Sequence, residues 1–101
     1  MRSLREIRGL KFPDDFVVRH FFKRGLADRG GRVLELGCGT GNNLSLYQAW
    51  GWTCVGVDYD AQALADARFN LGDDVTLVQA DLAQGLPDGG GLAGPFDAVI
   101  I

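Results

Sequence analysis

Glu35, Gly37, Gly39 and Gly41 alternate along Val33-Leu34-Glu35-Leu36-Gly37-Cys38-Gly39-Thr40-Gly41-Asn42-Asn43, where a short apolar run gives way to a glycine-rich turn and then to a helix start. Glycine has no Cβ, so the turn reaches dihedrals closed to other residues and a ligand can touch the main chain. The helix opening near Asn42 or Asn43 aims unpaired N–H groups and its positive dipole end into the same space. Such a site, built from backbone, receives something polar and partly anionic. Two more carboxylates close apolar runs downstream. Asp58 ends Thr53-Cys54-Val55-Gly56-Val57, and Asp81, followed by Leu82, ends Val75-Thr76-Leu77-Val78-Gln79-Ala80. A carboxylate about twenty residues past the glycines can accept hydrogen bonds from both hydroxyls of a ribose.

The spacing separates two ligand families. A dinucleotide fold wants glycine at the first, third and sixth positions of the turn. Counting from Gly37, the third is Gly39 but the sixth is Asn42, so that fingerprint fails. An acid followed by alternating glycines resembles instead motif I of the class I S-adenosylmethionine-dependent methyltransferases. With Glu35, Asp58 and Asp81 in order, the resemblance covers about residues 31 to 101.

The resemblance implies a cofactor, S-adenosylmethionine, with S-adenosylhomocysteine as product. It places Glu35 near the cofactor's ammonium and the turn of Gly37, Cys38, Gly39, Gly41 and Asn42 under its methionine part. Asp58 would hold the ribose, with Tyr59 against the ribose or adenine face. Asp81 would meet the adenine amino group beside the backbone N–H of Leu82. Each acid also has a plainer reading: Glu35 as a solvated strand-end acid, Asp58 and Asp81 as turn or N-cap residues. Tyr59 could equally be a lid on the core. The implied reaction is in-line methyl transfer from the sulfonium, in which the protein mainly supplies positioning. A hydroxyl or carbon nucleophile would also need a general base. No residue is named as catalytic, although Arg19 or His20 could close over the site from the N-terminal helix. A small-molecule methyl acceptor is favoured. A non-catalytic cofactor-binding module, a scaffold that binds nothing, and more distantly a nicotinamide-dependent oxidoreductase stand as alternatives.

Periodicity supplies the elements that must position these residues. Pro13 to Asp28 reads as one helix, with Val17, Val18, Phe21, Phe22 and Leu26 on its apolar face and Gly30-Gly31 as its stop. Strands are expected at Arg32 to Leu36, Thr53 to Val57, Val75 to Gln79 and Phe96 to Ile101. Helices are expected at Asn43 to Trp50, with Leu44, Tyr47 and Trp50 inward, and at Ala61 to Leu71, capped by Asp60 and stopped by Gly72. Strands alternating with helices predict an α/β, Rossmann-like parallel sheet of order 3-2-1-4 with flanking helices and an N-terminal helix. Between Ala83 and Pro95, five glycines and two prolines disfavour a regular helix, so the chain departs from, or shortens, the helix or helical turn that the family usually places there.

Composition bounds the rest. The chain has 101 residues, 47% of them hydrophobic, which suits one globular domain. It divides into a basic helical segment, residues 1–30, and a cofactor-binding domain, residues 31–101. Nine of ten Lys and Arg residues lie at or before Arg32, whereas nine of thirteen acids lie from Glu35 onward. The basic segment reads as a solvated helix face, so nucleic-acid binding is unsupported. No apolar run approaches the length of a membrane span and no secretory signal is visible, which points to the cytoplasm and away from membranes. Cys38 and Cys54 read as small buried residues, not a disulfide or a metal pair, and His20 as a packing or surface residue. The chain stops inside strand four. The expectation is the N-terminal part of a longer enzyme, its sheet incomplete, or self-association through that strand's open edge.

Overall fold

The computed structural model describes residues 12–87, 89 and 91–101; residues 1–11, with the basic side chains of Arg2, Arg5, Arg8 and Lys11, lie outside the described residues, as do Asp88 and Gly90 of the glycine-rich span. Helices α1 (Asp15–Lys23) and α2 (Leu26–Arg29) lead into strand β1 (Arg32–Leu36). Helix α3 (Asn42–Ala49), strand β2 (Thr53–Asp58), helix α4 (Ala61–Leu71) and strand β3 (Thr76–Gln79) follow. A 3₁₀ turn over Leu82–Gln84 and an irregular stretch then reach strand β4 (Ala98–Ile100). The four strands form one parallel sheet of order β3-β2-β1-β4, the expected Rossmann-like arrangement.

The expected single N-terminal helix is in fact two. Gly25 takes φ +70°, in the left-handed region, and the Gly25 N–H donates to the Phe22 carbonyl, ending α1 before α2 begins. Pro13 lies before the helix. Asp14 is its N-cap, its carboxylate accepting the Phe16 N–H at 2.8 Å. The inward face is also narrower than the periodicity implies, because Phe22 and Trp50 are half exposed and pack edge-on against each other.

Alternation along the central strands divides the core into two clusters. Val33, Cys54 and Val75 join Phe21, Leu26, Leu44, Tyr47, Trp52, Ala67 and Leu71, so residues from all four helices cover one face. Leu34, Val55 and Val57 form the other cluster, covered by Leu36, Val78, Ala80, Leu92 and Phe96. On that second face the glycine-rich stretch does the covering that a crossover helix would otherwise do. Its lid depends on Arg32. The guanidinium donates to the carbonyls of Gly91 and Ala93, each at 2.7 Å, and lies 4.4 Å from the Phe96 ring centroid. Asp97 accepts the Arg32 backbone N–H and pairs with Arg29 at 2.9 Å. Arg29 and Arg32 are thus engaged within the fold, and Arg19 forms a surface pair with Asp15.

Arg32→Ala removes those charge-assisted hydrogen bonds while leaving the partner carbonyls near solvent. It is expected to lower unfolding free energy in urea by about 2 kcal/mol. It should also make residues 85–96 the first site of limited proteolysis; unchanged cleavage there would refute this role.

Candidate functional site

Glu35 is the next-to-last residue of β1 and shares its face with Val33, toward α3. It is only 4% exposed, far from the solvated acid of the plainer reading. Asn43, in the first turn of α3, donates its Nδ2 to Glu35 Oε2 at 2.8 Å. Glu35 Oε1 is buried with no hydrogen-bond partner among the described residues. Burial, the largest influence, pushes the Glu35 carboxyl up to about 7; the Asn43 hydrogen bond pulls it down, and the nearby Asp58 carboxylate pushes it up further.

The turn after β1 is tied to β2. The N–H groups of Gly37 and Cys38 both donate to the Val57 carbonyl, at 2.8 and 3.0 Å. Asp58, at the carboxyl end of β2, accepts the Gly39 N–H on Oδ2 at 2.8 Å and the Asp60 N–H on Oδ1 at 3.0 Å. Asp58 therefore braces the turn as well as standing at a strand tip. Gly37 and Gly39 have φ of +79° and +55°, and a Cβ built on either would meet nothing within 4 Å. The same operation at Gly41, φ +92°, drives a Cβ to 2.7 Å from Leu71. Two glycines thus open onto free space and one permits close helix contact. Asn70 of α4 clamps the turn from the side, donating to the Thr40 carbonyl at 3.0 Å.

Gly41 is the N-cap of α3 and has no side chain with which to accept the first-turn N–H groups, of which Asn42 bears the first. Asp60 caps α4 as expected, accepting the N–H groups of Gln62 and Ala63. Asp81 is exposed and caps the 3₁₀ turn through the Ala83 N–H at 2.9 Å. Leu82 is 43% exposed. Tyr59 is 74% exposed, so it is not a lid on the core. Its carbonyl accepts from Gln79. Because the strands are parallel and adjacent, Glu35, Asp58 and Asp81 follow one carboxyl edge of the sheet in the order β1, β2, β3.

Cys38 and Cys54 are buried and free. Burial, ahead of the nearby carboxylates, pushes both thiols up to about 12. A separate cavity of about 320 Å³ runs along β4 between Phe16, Val17, His20, Leu26, Tyr47 and the strand. None of Glu35, Asp58 or Asp81 lines it. Among the described residues no helix is long and apolar enough to cross a membrane.

Two features of the site were not legible in the sequence. Asn43 was placed only as a helix start, yet it is the partner of Glu35. Arg32 was placed only as a strand start, yet it holds the stretch that covers the far face. A guanidinium opening a mostly apolar strand was the available signal for Arg32.

A parallel sheet of order β3-β2-β1-β4 with a glycine turn at the carboxyl end of its first strand defines the class as Rossmann-like α/β. The family described as methyltransferase domain matches residues 4–100, and the chain belongs to that family. No curated protein matches it. Among solved structures it is similar to a SAM-bound amino pentose methyltransferase from Micromonospora echinaspora involved in calicheamicin biosynthesis, at TM-score 0.56 and 26% identity over 91% of this chain and 43% of that one. It is also similar to DesVI of Streptomyces venezuelae, at TM-score 0.57 and 25% identity over 89% of this chain and 43% of the other. The plantazolicin methyltransferase BpumL, in complex with SAH, shares the fold at TM-score 0.62 and 19% identity over 83% and 33%. The chain therefore spans less than half the length of each of these relatives.

Proposed function

We propose that the glycine turn and the carboxyl edge of the sheet bind S-adenosylmethionine, and that the protein transfers its methyl group to a small-molecule acceptor. One observation carries this reading: a buried carboxylate oxygen without a donor, Glu35 Oε1, stands beside a turn whose Gly37 and Gly39 open onto free space. A cationic group suits the first and close approach of a ligand suits the second. The donor set fits the cofactor along its length. Glu35 would face the ammonium, and the turn of Gly37, Cys38, Gly39, Gly41 and Asn42 would lie under the methionine carboxylate, near the start of α3. Asp58 would accept the ribose hydroxyls through lone pairs left over from its two backbone donors. Asp81, the N–H of Leu82 and the exposed ring of Tyr59 would bound the adenine.

When bound, the cofactor supplies an electrophilic methyl on a sulfur that leaves readily. The residues of this chain bind and orient it, and the tie between the turn and β2 means that little has to move for them to do so. The small-molecule acceptor is supported by the Micromonospora relative, an amino pentose methyltransferase.

Asp58→Ala should weaken S-adenosylhomocysteine binding in calorimetry by about 30-fold, the loss of hydrogen bonds to a charged acceptor. A melting curve run alongside reports any damage to the turn. Unchanged affinity would sink the ribose assignment. Release of labelled methyl to an acceptor separates an enzyme from a module that only binds.

A further inference from the structure

Asn43 uses both ends of its amide. Its Oδ1 accepts the backbone N–H of Asp14 at 2.8 Å, and its Nδ2 donates to Glu35 Oε2 at 2.8 Å. Because the oxygen is engaged with the residue that caps α1, the amide cannot flip, and only an N–H donor can face Glu35. That donor suits Oε2 whether the carboxyl is neutral or ionised, since Oε2 accepts in both cases. The other oxygen, Oε1, is buried and unpartnered.

The surroundings do not favour an anion there. From β2, Asp58 adds like charge, and Cys54 lies within electrostatic reach as a neutral thiol. From the turn comes Cys38, from α3 Tyr47, both neutral. β4 contributes Ile100, which is opposite Glu35 in register. From the start of α1, the N-cap Asp14 contributes its N–H, through Asn43, and its carboxylate accepts the Phe16 N–H. No cation among the described residues counters the burial. An ionised carboxylate with one neutral donor and one bare oxygen is poorly compensated, whereas a neutral acid with its proton on Oε1 leaves only a weaker polar group unpaired.

We propose that, without ligand, burial with Oε1 unpartnered keeps Glu35 a neutral acid while Asn43 fixes its orientation, and that arrival of a ligand ammonium at Oε1 expels its proton to solvent. This rests on the cofactor reading above and adds a proton to its stoichiometry. The balance is simple: a neutral carboxyl and an ammonium become a carboxylate paired with that ammonium, plus one proton taken by buffer. No covalent bond other than O–H changes. The carboxyl's ordinary value is 4.5 and in the fold it is about 7, so the proton is held at pH 6 and a cation at Oε1 restores ionisation. Affinity should then rise up to about tenfold per pH unit between pH 5 and 7 and level off above, where the carboxyl is already ionised.

The test is calorimetry of S-adenosylhomocysteine, whose only cation is its amine, in buffers of differing ionisation enthalpy. At pH 6 that amine is already protonated and releases no proton itself, and Glu35→Gln isolates the share that Glu35 contributes. About 0.9 proton per site is expected from the wild type and none from Glu35→Gln. Asn43→Ala, which loses the donor that favours the carboxylate, should shift the pH profile of release upward. Infrared difference spectra provide a second readout, in which the protonated-carboxyl stretch disappears on binding to the wild type and is absent from Glu35→Gln. Binding without release at pH 6, or release that survives in Glu35→Gln, would overturn the proton step and leave the cofactor reading standing. Failure of S-adenosylhomocysteine to bind the wild type at any pH would overturn both.

Discussion

Glu35→Gln should make the ligand-free protein more stable at pH 8, by on the order of 3 kcal/mol, and leave its stability near pH 4 unchanged. The sign follows from a folded-state carboxyl near 7 against an ordinary 4.5. Below 4.5 the acid is protonated in both states and costs nothing. As pH rises from 4.5 to 7 the unfolded chain ionises while the fold holds its proton, so the wild type loses stability progressively. Above 7 the full penalty is present. Glu35 is almost wholly buried, so solvent screening removes little of it. Glutamine keeps the acceptor for Asn43 and cannot ionise, so the wild-type and variant curves should diverge across that window. Urea unfolding at half-unit pH steps measures it, and parallel curves would contradict it. Stability gained together with ligand affinity lost is the pattern of a residue retained for binding, not for folding.

Gly56→Val should destabilise the fold by about 3 kcal/mol, at the upper end of overpacking costs. Gly56 lies in the middle of β2, and a Cβ there comes within 2.7 Å of Cys38 Sγ and 3.0 Å of both Cys38 Cβ and Leu44 Cδ1. Those neighbours cannot yield easily. Leu44 is fully buried and Cys38 nearly so, in a close-packed cluster. The only outlet is displacement of Cys38, which belongs to the glycine turn. Binding of S-adenosylhomocysteine should therefore weaken along with stability, unlike Glu35→Gln, where the two move in opposite directions. A melting temperature within a degree of wild type would show that the strand relaxes by a route not visible in the packing.

Much of the frame was legible because it is written in short-range patterns. Apolar runs ending in acids marked β1, β2 and β3, Asp60 and Gly72 bracketed α4, and alternating glycines marked the turn. The sheet order followed from that alternation of strands and helices. What escaped is what depends on distant partners. The break at Gly25 was hidden because apolar residues continue on both sides of it at helical spacing. The depth of Glu35 was hidden because burial comes from α3 folding over the strand, and its bond to Asn43 forms only then. Arg32 reaches carbonyls some sixty positions along the chain, and no local periodicity encodes such a partner. The stretch after β3 opens with the 3₁₀ turn over Leu82–Gln84 where a regular helix was not expected, but its task of covering Leu34, Val55 and Val57 was not visible until Leu92 and Phe96 were placed.

The position of Cys38 has a chemical consequence. A sulfonium methyl donor is an alkylating agent, and a thiolate is among the nucleophiles most apt to attack it. In this turn the sulfur is directed down against Gly56 and Leu44, and its proton is held to about 12. At physiological pH it presents neither the charge nor the access that such an attack requires, so under the proposed cofactor reading the turn is shielded from methylation by its own ligand.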